Sequence, residues 1–204
     1  MGTAIARQLA TSSDVVGWDV QAGARQKLEA EGLTILSPEE LAAECDSFLL
    51  CLSTPHATRE VVNALVPLLK PGVVLVDTST SDPTTAQELA QVVATYGAYF
   101  LDAPILGRPS TCGQWTLPVG GNAQALEHVK PQLGQLAARI YHVGEVGAGH
   151  TIKLLNNIMF AAINAVTAEV IGACEYLDVD PKQFYDIISE SAAATVSPLF
   201  LELV

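Results

Sequence analysis

Lys153 and Asn157 stand four residues apart near the start of a long apolar stretch. On an α-helix that spacing puts both on one face, about 6 Å apart along the axis. An amine and an amide so placed can hold one small molecule together. Gly147 and Gly149 come just before them, giving a tight entry through which a backbone or a ligand can approach closely. Asn156 points about 100° away from this face, which suits packing or a backbone contact. His150, almost a turn before the lysine, is a second acid/base candidate or a residue that caps or packs the helix start.

Other segments carry weaker signals of the same kind. Gly2 can be the last glycine of a G-x-G-x-x-G phosphate turn, and Asp19, seventeen residues on, can be the acid that holds the ribose hydroxyls of a dinucleotide. An Asp between strand and helix also serves as an ordinary cap. In the ribose role its charge repels a 2′-phosphate, so NAD is expected over NADP. Two polar turns, 51–55 with Leu52 and Ser53 and 77–83 with Thr80, follow apolar runs that read as strands. Ligands of parallel α/β sheets bind at such carboxyl ends, although Ser and Thr there also cap helices.

These groups need a frame to bring them together. Short β-rich runs at 15–18, 33–36, 47–52, 73–77, 99–102, 116–119 and 140–143 alternate with helical stretches, clearest at 4–9, 22–31, 56–69 and 84–96. The last of these opens on Ser81-Asp82-Pro83, a cap followed by proline in the first turn. The alternation predicts a parallel α/β domain over 1–146. From 147 to 204 the pattern turns helical, with one helix over 150–178 and a second over 181–191 capped by Asp180. The chain runs from Met1 straight into a helix and stops in an apolar segment at Val204. We therefore expect a Rossmann-like, doubly wound sheet that lacks its first strand, followed by the start of an all-α domain, in a chain cut short at both ends.

Composition narrows the partners. Half of the 204 residues are hydrophobic and the net charge is −12, with ten Lys plus Arg, which disfavours nucleic acid and anionic membrane surfaces as partners. Cys45, Cys51, Cys112 and Cys174 are scattered without a C-x-x-C pair, so reduced, structural thiols are expected and no metal site. The uncharged run 154–168 is interrupted by Asn156, Asn157 and Asn164. It is shorter than the ~18 residues of a membrane span. A cytoplasmic protein is the default, with a mitochondrial one left open.

Asp-Ala-Pro-x-x-Gly at 102–107 and Gly-x-Gly-x-x-x-Lys-x-x-Asn-Asn at 147–157 occur in that order, with Gly113, the 117–121 segment, the 77–83 turn and Gly2 around them. Together they resemble the β-hydroxyacid dehydrogenases, a group that includes 3-hydroxyisobutyrate dehydrogenase and is related to 6-phosphogluconate dehydrogenase. The resemblance implies a nicotinamide-binding domain, a helical domain that helps to form a homodimer or higher homo-oligomer, and hydride transfer on a small 3-hydroxyacid or its semialdehyde. It assigns proton transfer to Lys153 and substrate orientation to Asn157. Burial at the domain junction would lower the lysine pKa toward neutrality. Gly2, Asp19, Leu52, Ser53 and Thr80 fall at cofactor positions, and Leu106, Gly107 and Arg108 at the substrate loop.

The loop departs from the common Asp-Ala-Pro-Val-Ser-Gly-Gly, with Leu106 at the serine and Arg108 at the second glycine. A hydroxyl expected on the substrate carboxylate is thereby lost, and Arg108 can replace it with a bidentate contact. His150 before the lysine keeps a 6-phosphogluconate dehydrogenase-like enzyme as one alternative. A catalytically defunct dimerising or nucleotide-binding remnant is another.

Overall fold

The computed structural model describes residues 1–191. They fall into two compact units, divided after Lys153. In the first, helix α1 (Gly2–Leu9) is followed by strand β1 (Val16–Gly17), α2 (Ala22–Ala30) and β2 (Thr34–Ile35). Then come α3 (Pro38–Glu44), β3 (Ser47–Leu50), α4 (Pro55–Leu65), β4 (Val74–Asp77), α5 (Pro83–Ala94) and β5 (Tyr99–Asp102). β6 (Trp115–Gly120), α6 (Ala123–Leu136) and β7 (Ala137–Gly144) complete the sheet. α7 (Ala148–Tyr176) begins in this unit and carries Lys153 in its second turn.

Local chemistry accounts for where the helices start. Ser37 and Glu40 form a reciprocal capping box on α3, while Thr54 and Asp82 accept backbone amides at the starts of α4 and α5. Each of these helices also has a proline in its first turn, where no amide donor is needed.

The strands form two sheets, a parallel pair β1-β2 and a five-stranded sheet in the order β3-β4-β5-β6-β7. Among the described residues no strand precedes α1 and none joins the two sheets. β3, β4 and β5 run parallel, and β6 runs antiparallel to β5. The expected parallel pairing therefore holds for β3-β4-β5 and for β6-β7, and is broken only between β5 and β6. The link from β5 to β6 holds only a short 3-10 turn, Pro109–Thr111, so the chain doubles back instead of crossing over. α6 then supplies the crossover that makes β6 and β7 parallel.

The middle strands β4, β5 and β6 are buried on both faces, which explains their near-continuous apolar runs, while the edge strand β7 is largely exposed. Val74, Val76 and Leu101 face a cluster with Ile5, Leu9, Trp115, Val129 and Leu133. Leu75 and Phe100, one residue out of phase, face Val62, Val66, Leu89 and Val93.

The second unit is helical as far as it is described: the rest of α7, then α8 (Pro181–Ile188), whose cap Asp180 accepts the Lys182 amide at 2.9 Å. At 29 residues α7 is long and apolar enough, by length and composition, to cross a membrane. The uncharged stretch inside it, 154–168 between Lys153 and Glu169, stays shorter than a span. The described part of this unit has no strand, and residues 192–204, including the end of the chain, lie outside the described residues.

Candidate active site

Lys153 is half-buried, and its Nζ donates a hydrogen bond to the Ile105 carbonyl at 2.8 Å. Burial holds its ammonium below the ordinary lysine range. The lysine lines a cleft of about 470 Å³ with Met1, Gly2, Leu52, Ser53, Thr80 and Gly107. Cys51, Thr78, Ser79 and Ile105 complete its walls.

Asp102 fixes the helix that carries the lysine. Its two carboxylate oxygens accept the amides of Gly147 at 2.7 Å and His150 at 2.8 Å, so a wholly buried carboxylate caps the start of α7. The helix dipole and the two amides favour the charged form. Burial opposes them and pushes its pKa upward. Gly149 lets α7 come this close, since a Cβ there would lie 2.5 Å from the Asp102 carbonyl oxygen and 2.7 Å from that of Pro118. Gly147 turns the chain into the helix with φ +97°.

The loop after β5 is fastened to β6. Leu106 and Thr116 exchange backbone hydrogen bonds of 3.0 and 3.2 Å, and the Trp115 indole donates to the Arg108 carbonyl at 2.7 Å. Gly107 lies against the Trp115 indole, where any side chain would overlap the ring. The loop that presents the Ile105 carbonyl to Lys153 is therefore rigidly backed by a buried tryptophan.

Across the cleft, the turns after β3 and β4 are tied together. Ser79 Oγ accepts the Leu52 amide at 2.8 Å, Asp77 Oδ1 accepts the Ser79 amide at 3.0 Å, and Thr78 Oγ1 donates to the Leu50 carbonyl at 2.7 Å. Gly2 at the start of α1 has room beside it, because an added Cβ would meet only Cys51 at 3.8 Å. A helix N-terminus with hydroxyl-bearing turns facing it suits a phosphate-bearing ligand. Among the described residues no cluster of His, Cys, Asp or Glu could hold a metal, and the four cysteines are unpaired.

The structure thus gathers Gly2, Leu52, Ser53, Thr80, Gly107 and Lys153 into one cleft, while Asp19, Leu106 and Arg108 are not among its walls. Asp19 Oδ1 accepts the Gln21 amide at 2.8 Å, the turn-capping alternative. Arg25 stacks over Trp18 at 4.5 Å and donates to the Asp19 carbonyl at 2.6 Å, holding that turn. The Leu106 backbone pairs with β6 and the Arg108 side chain is exposed. Asn157 belongs to the second unit, where it is exposed on α7. Cys51, Thr78, Ser79 and the Ile105 carbonyl were missed. The 51–55 and 77–83 turns were the available signal for the first three, whereas nothing local marks a backbone carbonyl as the lysine's partner.

A mostly parallel α/β sheet with a cleft at its strand ends, followed by a helical region, defines the class of Rossmann-like proteins. Residues 1–144 match the family model of the NAD binding domain of 6-phosphogluconate dehydrogenase, and residues 147–199 that of the NAD-binding of NADP-dependent 3-hydroxyisobutyrate dehydrogenase. The chain belongs to this family, the β-hydroxyacid dehydrogenases.

Among its relatives, mitochondrial 3-hydroxyisobutyrate dehydrogenase of Bos taurus is 31% identical over 173 residues, covering 82% of this chain and 52% of that enzyme. L-threonate dehydrogenase of Cupriavidus necator is 28% identical over 200 residues, covering 94% of this chain and 67% of that enzyme. The solved structure of 3-hydroxyisobutyrate dehydrogenase from Mycobacterium tuberculosis with L-serine superposes with a TM-score of 0.90 at 26% identity. That match covers 98% of this chain and 69% of that one. This chain spans about half the length of the bovine enzyme.

Proposed function

We propose that the cleft binds a nicotinamide dinucleotide and that the protein serves hydride transfer on a small 3-hydroxyacid or its semialdehyde, with Lys153 exchanging the hydroxyl proton. The observation that carries this reading is the half-buried Lys153 amine, lowered in pKa and held at the cleft by the Ile105 carbonyl. A carbonyl orients the amine without adding a negative charge that would raise its pKa again. In the oxidative direction the unprotonated amine takes the hydroxyl proton, and in the reductive direction the ammonium returns it. When bound, the nicotinamide supplies the hydride acceptor or donor.

Gly2, Leu52, Ser53 and Thr80 suit the cofactor by their place on the cleft wall, and Asp19 suits the ribose of NAD over the 2′-phosphate of NADP by its charge. Asn157 is the candidate for orienting the substrate oxygen. Gly107 suits the substrate loop, and the exposed Arg108 guanidinium is available to a substrate carboxylate. The exposed Leu155, Ile158 and Met159 of α7 suit coverage by a second copy of the chain in a homodimer, and the acidic surface disfavours nucleic acid and membrane partners. A cytoplasmic location is part of the proposal, with a mitochondrial one as its alternative, since the relatives include both mitochondrial and bacterial enzymes.

A second reading, a nucleotide-binding or dimerising module without turnover, draws on the two-residue strands β1 and β2, which among the described residues pair only with each other. Titration with NAD and NADH, followed by assay of a panel of small hydroxyacids, separates the two. Lys153→Ala is expected to lower turnover about 10³-fold with NAD affinity nearly unchanged. Oxidation by the unaltered chain should rise with pH through a lysine titration below the ordinary lysine value, since the neutral amine is the base. Equal turnover in the variant sinks the proposal, and binding of NAD without turnover favours the second reading.

A further inference from the structure

Three buried ionisable side chains meet behind the cleft. Asp77 and Asp102 end the neighbouring parallel strands β4 and β5 in register, and His150 lies in the first turn of α7. Their relative exposures are 1%, 0% and 0%. Asp102 is fully engaged by the helix amides, as described above. Among the described residues the His150 ring has no hydrogen-bond partner on either nitrogen, although its Nε2 lies 3.5 Å from Asp77 Oδ2. That separation is longer than the ~2.7–3.2 Å of a formed bond. A buried imidazole left unpaired costs its desolvation, and a shift of a few tenths of an ångström would satisfy it.

The proton position follows from the neighbours. A lone pair on Nε2 would face the Asp77 carboxylate, so the tautomer with hydrogen on Nε2 is the one this pocket accepts. Asp77 is then shared, with Oδ1 taking the Ser79 amide and Oδ2 facing His150. Ser79 and its neighbours Thr78 and Thr80 line the cleft from one side, and Lys153, three residues after His150, lines it from the other. Asp102 is the second carboxylate at this junction and acts on the His150 charge, whereas Lys153 is turned to the Ile105 carbonyl.

We infer that His150 is a positioning residue: its Nε2–H donates to Asp77 Oδ2, so that one buried carboxylate couples the turn at 78–80 to the helix turn that carries Lys153. The functional side of this inference rests on the proposed role of Lys153, but the bond itself does not. The bond therefore has a test that needs no cofactor and no turnover.

In the full chain with 15N-labelled histidine, His142→Gln first removes the ring whose Nε2 meets the Gly121 carbonyl at 2.7 Å. One solvent-protected imidazole N–H resonance should remain, vanish in His150→Gln and shift in Asp77→Asn. Amide exchange over 151–155 should quicken about tenfold in either variant, and the double variant should be no faster than the single ones, as expected of partners in one interaction. Where the chain turns over, His150→Gln should lower kcat with little change in the hydroxyacid KM. The inference is overturned by a rapidly exchanging His150 ring, by an Asp77→Asn spectrum that leaves it unmoved, or by additive exchange rates. Because the resonance is read on the unaltered Asp77 and His150 pair, poor folding of a variant does not remove the test. Absence of turnover with the resonance present would count against the proposed function and not against the bond.

Discussion

The two ends of the candidate dinucleotide site are built very differently. At the Lys153 end, the buried Asp102 carboxylate, a tryptophan-backed loop and a close glycine contact fix the start of α7. At the Asp19 end, β1 and β2 have two residues each, α2 buries no side chain, and the turn is held by its own residues and by Arg25. On the proposed reading, the group that moves a proton needs a fixed position, and burial supplies it while also lowering the lysine pKa. A carboxylate that hydrogen-bonds a sugar needs mainly to be solvated and correctly turned.

Substitutions that treat both ends alike should expose this contrast. Gly149→Ala sets a methyl group against two backbone carbonyls that cannot rotate away, so we expect a loss of about 2–4 kcal/mol in denaturant unfolding and loss of turnover. An alanine that leaves stability and turnover unchanged would show that the helix start has slack. Asp102→Asn turns an NH₂ group toward one of the two amide donors, and a destabilisation of about 1.5–3 kcal/mol is expected by the same measurement.

Effects at the other end should be smaller and functional in kind. Asp19→Asn should weaken NAD binding by about tenfold, roughly the worth of one good charged hydrogen bond, and narrow the preference over NADP. Calorimetric titration of both cofactors reads it, and an unchanged ratio would remove Asp19 from the ribose role. Gly23→Ala in α2, where an added Cβ meets nothing within 4 Å, should raise stability by about 0.4–1 kcal/mol. A loss instead would mean that this end is packed more tightly than the other comparison allows.

Much of the architecture was legible because it depends on local patterns. Apolar runs of strand length, the Asp82 and Asp180 caps and the long apolar helix are short-range features, and each has its counterpart in β3 to β5, α5, α7 and α8. Helices α3 and α6 were not singled out, although Ser37 with Glu40 and Asn122 mark their starts. The direction of β6 was not legible, since an apolar strand looks the same run either way. Only the lack of a helix after β5 hinted at the reversal.

Site residues divide in the same manner. The residue types at Gly2, Ser53, Thr80, Gly107 and Lys153, and their order along the chain, were set by the sequence together with its family likeness. Their gathering into one cleft, the pairing of Lys153 with the Ile105 carbonyl, the double use of Asp102 and the burial of His150 beside Asp77 were decided by tertiary structure. The reason is physical: a helix or a cap is fixed by neighbours a few residues away. Burial, and the pKa and hydrogen-bond partners that follow from it, depend on segments such as 102–105 and 147–153, which meet only when the sheet is assembled.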